Sequence, residues 1–366
     1  MLTFFKVQMP ELPEVERAKE LVRTVATGKT ISRVDTTEDT IVFSGISHTD
    51  FAKELTGRKV RDVSRYGKVF FLVSFRFMHC LIVMFAIYLS AQVKGQKLIH
   101  YREAPRKMTD EWPPKFMKFV LHIQGHPSED TIQLAFMDAR RLGRIRLCAS
   151  PLTEPPISAL GFDPILSMPD VEAFKKSVLK RSCPIKALLL DQSFSAGVGN
   201  WVADEILYHA RIHPERRCNT LQEDELLALH DKTQYVCRTA VAVNADDTKF
   251  PSNWLFKHRW VYMGKGKKKH TLTLPSEEPA TIKFITVGGR TSAYIVELQK
   301  LSGYVNAELP ENDSESDLTP LEEEETVEVK VQTRTKRKGK QTKVVAQETT
   351  KKRCTSKKEP TPHEPS

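Results

Sequence analysis

The chain has 366 residues, a formal net charge of +10 and a pI of about 9.2. That is length enough for two packed domains and a remainder, and a basic balance that favours polyanions, nucleic acid ahead of membrane surface. Its six cysteines form no C-x-x-C pair and are irregularly spaced, which argues against a disulfide framework or a cysteine-rich zinc site and for free thiols in a reducing compartment. The opening "MLTFF" lacks the basic n-region and apolar core of a secretory signal.

In chain order, residues 11–27 read as a helix, because Val15, Ala18, Val22 and Val25 recur at helical spacing and Gly28 can close the C-terminus. A strand-rich stretch follows to about residue 150. "TISRVDTTEDTIVFSG", "KVFFLVSF", "KFVLHIQG", "TIQLAFMD" and "RIRLCA" are short, β-branched or aromatic, and separated by turn residues, which predicts an antiparallel sandwich or barrel. Within it the apolar run Cys80–Val93 is shorter than the roughly 20 residues a membrane helix needs and reads as a buried strand or helix. "SPLTEPPISALGFDP" is a Pro-rich linker. The character then turns helical through "DVEAFKKSVLKRS", "PIKALLLDQ", "NWVADEILYHARIHP" and "EDELLALHDKTQYVCRTAVAV". After Pro251, "HRWVYMGKGKKKHTLTL" and "TIKFITVGGRTSAYIVEL" predict a hairpin-like pair around a basic turn. From residue 307 the acidic "ENDSESDLTPLEEEE" and basic "TRTKRKGKQTK" and "KKRCTSKK" predict a disordered charged tail. No internal repeat is present.

The segment "SFSAGVGNWVADEIL" places Gly197 and Gly199 before Asn200 at a helix start. Asparagine is a good N-cap, and outward-turned amides at a helix N-terminus make an anion seat suited to a phosphate. No Gly-Lys-Ser/Thr follows, so it is not a nucleotide P-loop. A glycine-rich turn between helices that binds nothing is the plain alternative.

With "MPELPEVE", "RYGKVFFLV", "DARRLGRIR", "PIKALLLDQSFSAGVGNWVADEILYHARIHP" and "GGRTSAYIV" in this order from Met9 to about Gln299, the chain resembles the formamidopyrimidine-DNA glycosylase / endonuclease VIII family. The resemblance implies an α+β fold. An N-terminal antiparallel β-sandwich flanked by helices would occupy 10–150. A helix–two-turns–helix domain would occupy 165–250 and a β-hairpin finger 251–305, with DNA in the cleft between sandwich and helical domain. It also implies base excision from damaged double-stranded DNA, followed by strand cleavage through β,δ-elimination.

Its residues carry over position by position. Pro10, through a free N-terminal amine, would be the nucleophile, and Glu11 the acid/base at the sugar ring oxygen. Glu14 would support the helix start. Lys68 would hold a phosphate near the lesion and take part in proton transfer. Arg290, at the finger tip, would clamp phosphates and is linked to δ-elimination. Arg181, Lys186 and Asn200 would contact the DNA backbone, and Arg140 would fill the gap left by a flipped nucleotide.

The chain also departs from the family. Residues 255–305 contain no cysteine, and His258 and His270 cannot by themselves build a four-ligand site. The finger resembles the zinc-less plant and fungal branch, and no metal or cofactor is expected. "NADDTKFPSNWLFKHRW" is short, so the loop that caps a flipped oxidised purine is expected to be reduced and preference to shift toward ring-opened or further-oxidised purines. Where the family has a His-x-Gly-Met-Ser/Thr-Gly stretch, this chain has "MHCLIVMFAIYLSAQVKGQ", read as an apolar insert, of the kind a retained intron encodes, that replaces a core strand and its loop. Leu142 stands where an aromatic wedge is expected. Finally, Pro10 is nucleophilic only as a chain terminus, so residues 1–9 are read as a leader or misassigned start, with translation from Met9. The competing readings are a catalytically impaired damaged-DNA-binding protein on the same scaffold and a chromatin tether driven by the tail. A monomer with no membrane association and no obligatory protein partner is expected, and "TKRKGK" and "KKRC" suit nuclear import.

Overall fold

The first helix, α1 (Leu12–Ala26), follows the valine spacing. Pro13 presets φ in its first turn, and the Glu14 carboxylate accepts the Glu11 backbone N–H at 2.9 Å. The protein is seen here in a computed structural model that describes residues 10–76, 79–86, 90–96, 111–126, 128, 130–259 and 272–301. The expected leader and charged tail lie outside these residues.

Eight strands follow: β1 (Thr30–Thr36), β2 (Lys59–Tyr66), β3 (Val69–Arg76), β4 (His79–Ala86), β5 (Ser90–Val93), β6 (Met117–Gln124), β7 (Ile132–Met137) and β8 (Arg144–Cys148). They form one sheet in the order β5-β7-β6-β1-β2-β3-β4-β8, antiparallel at every pairing. The sheet curls onto itself. Phe70 of β3 stacks on Phe136 of β7 with centroids 6.3 Å apart, although three strands separate them in the order. Phe136 in turn stacks on Phe119 at 4.3 Å, and Phe51 meets Phe119 edge-on at 5.2 Å. Phe51 comes from helix α2 (His48–Leu55), which closes the open side. Each ring removed from water contributes about 1.5–3 kcal/mol, so this aromatic seam is the main tie across the curled sheet.

Three expectations change. Of the described residues of the apolar run, Ser90–Val93 form β5, paired with β7, and Cys80–Ala86 belong to β4, in full register with β3 from Val69↔Ala86 to Arg76↔His79 and with β8 from Ile82↔Cys148 to Ala86↔Arg144. Rather than costing the sheet a core strand, it supplies one, because a β-branched and aromatic segment with a neighbour on each side satisfies its backbone on both edges. The second half of "TISRVDTTEDTIVFSG" is not strand; it turns at residues 40–42 and pairs with the sheet's backbone at one isolated bridge, Phe43↔Ile145. Helix α2 and strand β2 are additions that strand-like composition did not reveal.

The helical half comprises α3 (Val171–Leu179), α4 (Ile185–Leu190), α5 (Asn200–Ala210), α6 (Glu223–Ala242) and α7 (Leu255–His258) around Trp201, Trp254 and Phe256. Leu12 is buried in this core, whereas Val15, Val22 and Val25 are buried in that of the sheet. One helix, α1, therefore serves both cores, and the two halves belong to one compact unit. The finger hairpin is made within the second of the two predicted segments: β9 (Ile282–Val287) pairs with β10 (Arg290–Ile295). Gly288 and Gly289 take φ of +57° and +68° at its tip, the left-handed pair that a two-residue hairpin turn requires. The first segment lies largely outside the described residues.

Candidate active site

Pro10 is half-buried and leads directly into Glu11, whose side chain is 2 % exposed. The Glu11 carboxylate accepts the Trp201 N–H at 2.9 Å through Oε1 and the Val202 N–H at 3.0 Å through Oε2. These are amides of the first turn of α5, which have no partner inside the helix and sit at the positive end of its dipole. The helix start is filled from within the chain: the Glu11 carboxyl group, from a segment almost two hundred residues earlier, occupies it in place of a phosphate. The glycines make the docking possible. A Cβ on Gly199 would stand 2.3 Å from Glu11 Cδ, and one on Gly197, whose φ is +100°, would stand 2.8 Å from Leu12 Cβ. Leu12 N–H also donates to the Gly197 carbonyl at 3.0 Å. Gly199 is the cap of α5, and Asn200 is its first residue.

Burial pushes the Glu11 pKa up, against the opposing pull of Lys68 and of the two amides. Glu14 is driven up to about 8 by burial and then by the neighbouring charge of Glu11. Its Oε1 is a buried atom without a hydrogen-bond partner. Lys68 occupies the turn between β2 and β3 and donates to the Val198 carbonyl at 3.1 Å. Burial lowers its pKa; Glu11 opposes that, and the charge of Arg290 adds to it. Glu11 and Arg290 thus both lie close enough to act on the protonation of Lys68. The Lys68 turn is fixed from below. Asp163, fully buried, accepts from Gly67 N at 2.8 Å and from the Arg65 guanidinium, which also donates to Glu16 at 2.7 Å. Beside Pro10, a carboxyl that burial helps to keep protonated and an ammonium that burial disfavours make a proton inventory suited to acid–base work.

The other predicted residues are placed as follows. Arg290 is the exposed first residue of β10. Asn200 donates through Nδ2 to the Thr291 carbonyl at 3.0 Å, tying α5 to the hairpin. Arg181 is half-buried just beyond α3. Arg140 is exposed on the loop between β7 and β8, whose ends are held by Asp138, which accepts from Arg140 N at 3.0 Å and from Gly143 N at 2.7 Å. Leu142, at the tip of that loop, is 37 % exposed. Lys186 requires a correction. It is 0 % exposed, with its ammonium bonded to Asp204 and, at 3.1 Å, to Ser292 Oγ, so it is an interior strut and not a phosphate contact. A lysine in an amphipathic helix is usually solvated; here a buried carboxylate offsets its desolvation.

Sequence reasoning missed the acids that organise this region. Asp204 and Glu205 are each 1 % exposed. Glu205 accepts from Leu255 N at 3.0 Å and Phe256 N at 2.8 Å, the same carboxylate-on-helix-start device that Glu11 uses. Two adjacent acids inside the otherwise apolar "WVADEILY" were the available signal.

Comparison with known proteins places this geometry. Residues 9–145 match the model of the formamidopyrimidine-DNA glycosylase N-terminal domain, and residues 160–252 that of the formamidopyrimidine-DNA glycosylase H2TH domain. The sheet half and the helical half therefore match, in order, the two domains of one class of DNA-repair protein. A formamidopyrimidine-DNA glycosylase of Arabidopsis thaliana is 40% identical over 306 residues, covering 81% of this chain and 72% of that protein. One from Roseiflexus sp. is 33% identical over 233 residues, covering 64% of this chain and 78% of that protein. The fold is shared with a Lactococcus lactis formamidopyrimidine-DNA glycosylase crystallised non-covalently bound to DNA containing an AP site, with a TM-score of 0.59, 24% identity, and coverage of 79% of this chain and 99% of that one. The chain belongs to the formamidopyrimidine-DNA glycosylase family.

Proposed function

We propose that this protein is a bifunctional DNA glycosylase and AP lyase of base excision repair, acting on oxidised or ring-opened purines in double-stranded DNA. The observation that carries the reading is the Glu11 carboxylate, buried on two α5 amides, one residue from Pro10 and within electrostatic reach of Lys68.

The steps follow from these groups. The Pro10 nitrogen, as a free secondary amine, attacks C1′ of the damaged nucleotide; the C1′–base bond breaks with its electron pair going to the base, and the departing base takes up the proton that the Pro10 nitrogen loses. Glu11, carrying the proton that burial favours, gives it to the sugar ring oxygen; the ring opens to an iminium between Pro10 and C1′. That cation acidifies C2′–H. Its loss expels the 3′ phosphate by β-elimination, and loss of a further proton expels the 5′ phosphate by δ-elimination. Hydrolysis then frees Pro10. Lys68, its ammonium destabilised by burial, is suited to relay a proton. The chemistry needs Pro10 at the chain terminus, so translation from Met9 with removal of that methionine is part of the proposal, as is nuclear import through the basic tail.

The test is borohydride trapping on a duplex with one abasic or oxidised site. The chain that begins at Pro10 forms a covalent adduct, and the chain that keeps residues 1–9 does not. Specific binding by the Pro10 chain without any adduct would overturn the lyase reading and favour a binding protein.

A further inference from the structure

We propose that Asp204 is a positioning residue for Arg290, setting where the finger's arginine meets the DNA backbone; this rests on the activity proposed above. Asp204 lies one helical turn beyond the amide that Glu11 caps. Its Oδ1 accepts from the Lys186 ammonium and from Ser292 Oγ at 2.9 Å. Its Oδ2 accepts from the Arg259 guanidinium at 2.8 Å and from Ala293 N at 3.1 Å. Four donors meet the roughly four lone-pair sites a carboxylate offers. They come from α4, from the residue after α7, and from two successive positions of β10. Lys186 also reaches Ser292 Oγ at 3.1 Å, so both ends of the Ser292 hydroxyl are used.

The geometry of a strand turns this into control over Arg290. Side chains two apart on a strand share a face, so fixing Ser292 against α5 fixes the face from which Arg290 departs. Asn200 holds the Thr291 carbonyl between them at 3.0 Å. On the other side, the hairpin tip rests on α4: a Cβ on Gly288 would lie 3.2 Å from Ala187 Cα. Arg290 is therefore bracketed by the close approach of Gly288 to α4 and the carboxylate hub at Ser292. Both ends of the bracket, and Glu11, are referred to α4 and α5. One helix, α5, indexes the general acid through Trp201 and Val202 and the finger through Asp204. Removing the hub loosens the strand that carries Arg290 while leaving Glu11 and Lys68 in place, so it damages the step that needs the phosphate clamp more than it damages base removal.

Ser292→Ala is the primary variant, because it removes the side-chain link from Asp204 to β10, leaving only the Ala293 N–H, and keeps the buried ion pairs intact; Asp204→Asn is the second. Each is compared with the otherwise unaltered chain beginning at Pro10, on a duplex with a single abasic site. The ratio of δ- to β-elimination product is expected to fall at least about threefold, since small misplacement of a catalytic group is costly, while the rate of borohydride trapping stays within about twofold, because Pro10 and Glu11 are untouched. Hydrogen exchange at the Thr291–Ile295 amides is expected to quicken at least about tenfold. Unchanged exchange in Ser292→Ala, or faster exchange with an unchanged product ratio in both variants, overturns the proposal alone. An unaltered chain that fails to trap overturns the lyase reading, and this proposal with it.

Discussion

The sheet half and the helical half are built on different principles. The sheet is held by an apolar seam, Phe70, Phe136, Phe119 and Phe51, in which nothing titrates. Its Asp39 cluster sits at the rim, where it accepts from Lys118 at 2.8 Å and bidentately from an Arg141 that is half exposed, so that its pKa lies far below the usual carboxylate range despite burial. The helical half encloses its charges: Asp204, Glu205, Lys186 and Arg259 are all 3 % exposed or less. Apolar packing tolerates small shifts, whereas a buried carboxylate with several fixed donors does not. The sheet thus supplies rigidity and the helical half supplies register, and the candidate site lies where α1 joins them.

Four changes would break or sharpen that contrast. Glu11→Gln should lower base excision by about 10²–10⁴-fold in single-turnover assays, because the acid is lost. It should also lower stability by about 1–3 kcal/mol, since a side-chain amide cannot accept both helix-start N–H groups. Phe136→Ala should cost about 3–5 kcal/mol in denaturant unfolding, with excision per folded molecule unchanged; a loss of specific activity would show that the seam does more than brace. Gly199→Ala drives a methyl into Glu11, and should cost about 1–3 kcal/mol while reducing excision, so that here stability and activity fall together. The last effect is a slope. Glu14, near 8 in the folded chain against 4.5 unfolded, keeps its proton where the unfolded chain has released it. Its contribution is therefore full below pH 4.5, declines as pH rises and levels off above about 8. Glu14→Gln should flatten that part of the stability–pH curve, a change on the order of a few kcal/mol at most; an unaltered curve would mean that Glu14 is ionised in the fold.

Elements with strong local signals were legible. α1 showed in its valine spacing, and β3, β6, β7 and β8 in short β-branched runs ended by turn residues. What failed was information held by distant partners. The helix start at Gly199–Asn200 looks open in one dimension, because the carboxylate that fills it belongs to Glu11. Lys186 reads as a contact to the DNA backbone until Asp204 and Ser292 close around it. The apolar run from Cys80 reads as an intrusion until β3 and β8 are seen to flank it. β2, "KVRDVSRY", escaped because its charged residues mask an ordinary half-buried alternation. The resemblance supplied most of the site, since the Pro10–Glu11 pair, Lys68 and Arg290 lie in three segments far apart in sequence that share no local pattern.

Glu11 closes the first turn of a helix whose other residues are core. A chain lacking its first dozen residues would be left with two bare amides at the heart of the helical half, and would be short of a fold before it was short of an activity. Natural or designed substitutions at position 11 should therefore be found mostly among poorly accumulating proteins, and a well-behaved, inert version of this enzyme is better sought at Pro10, whose nitrogen the architecture does not use.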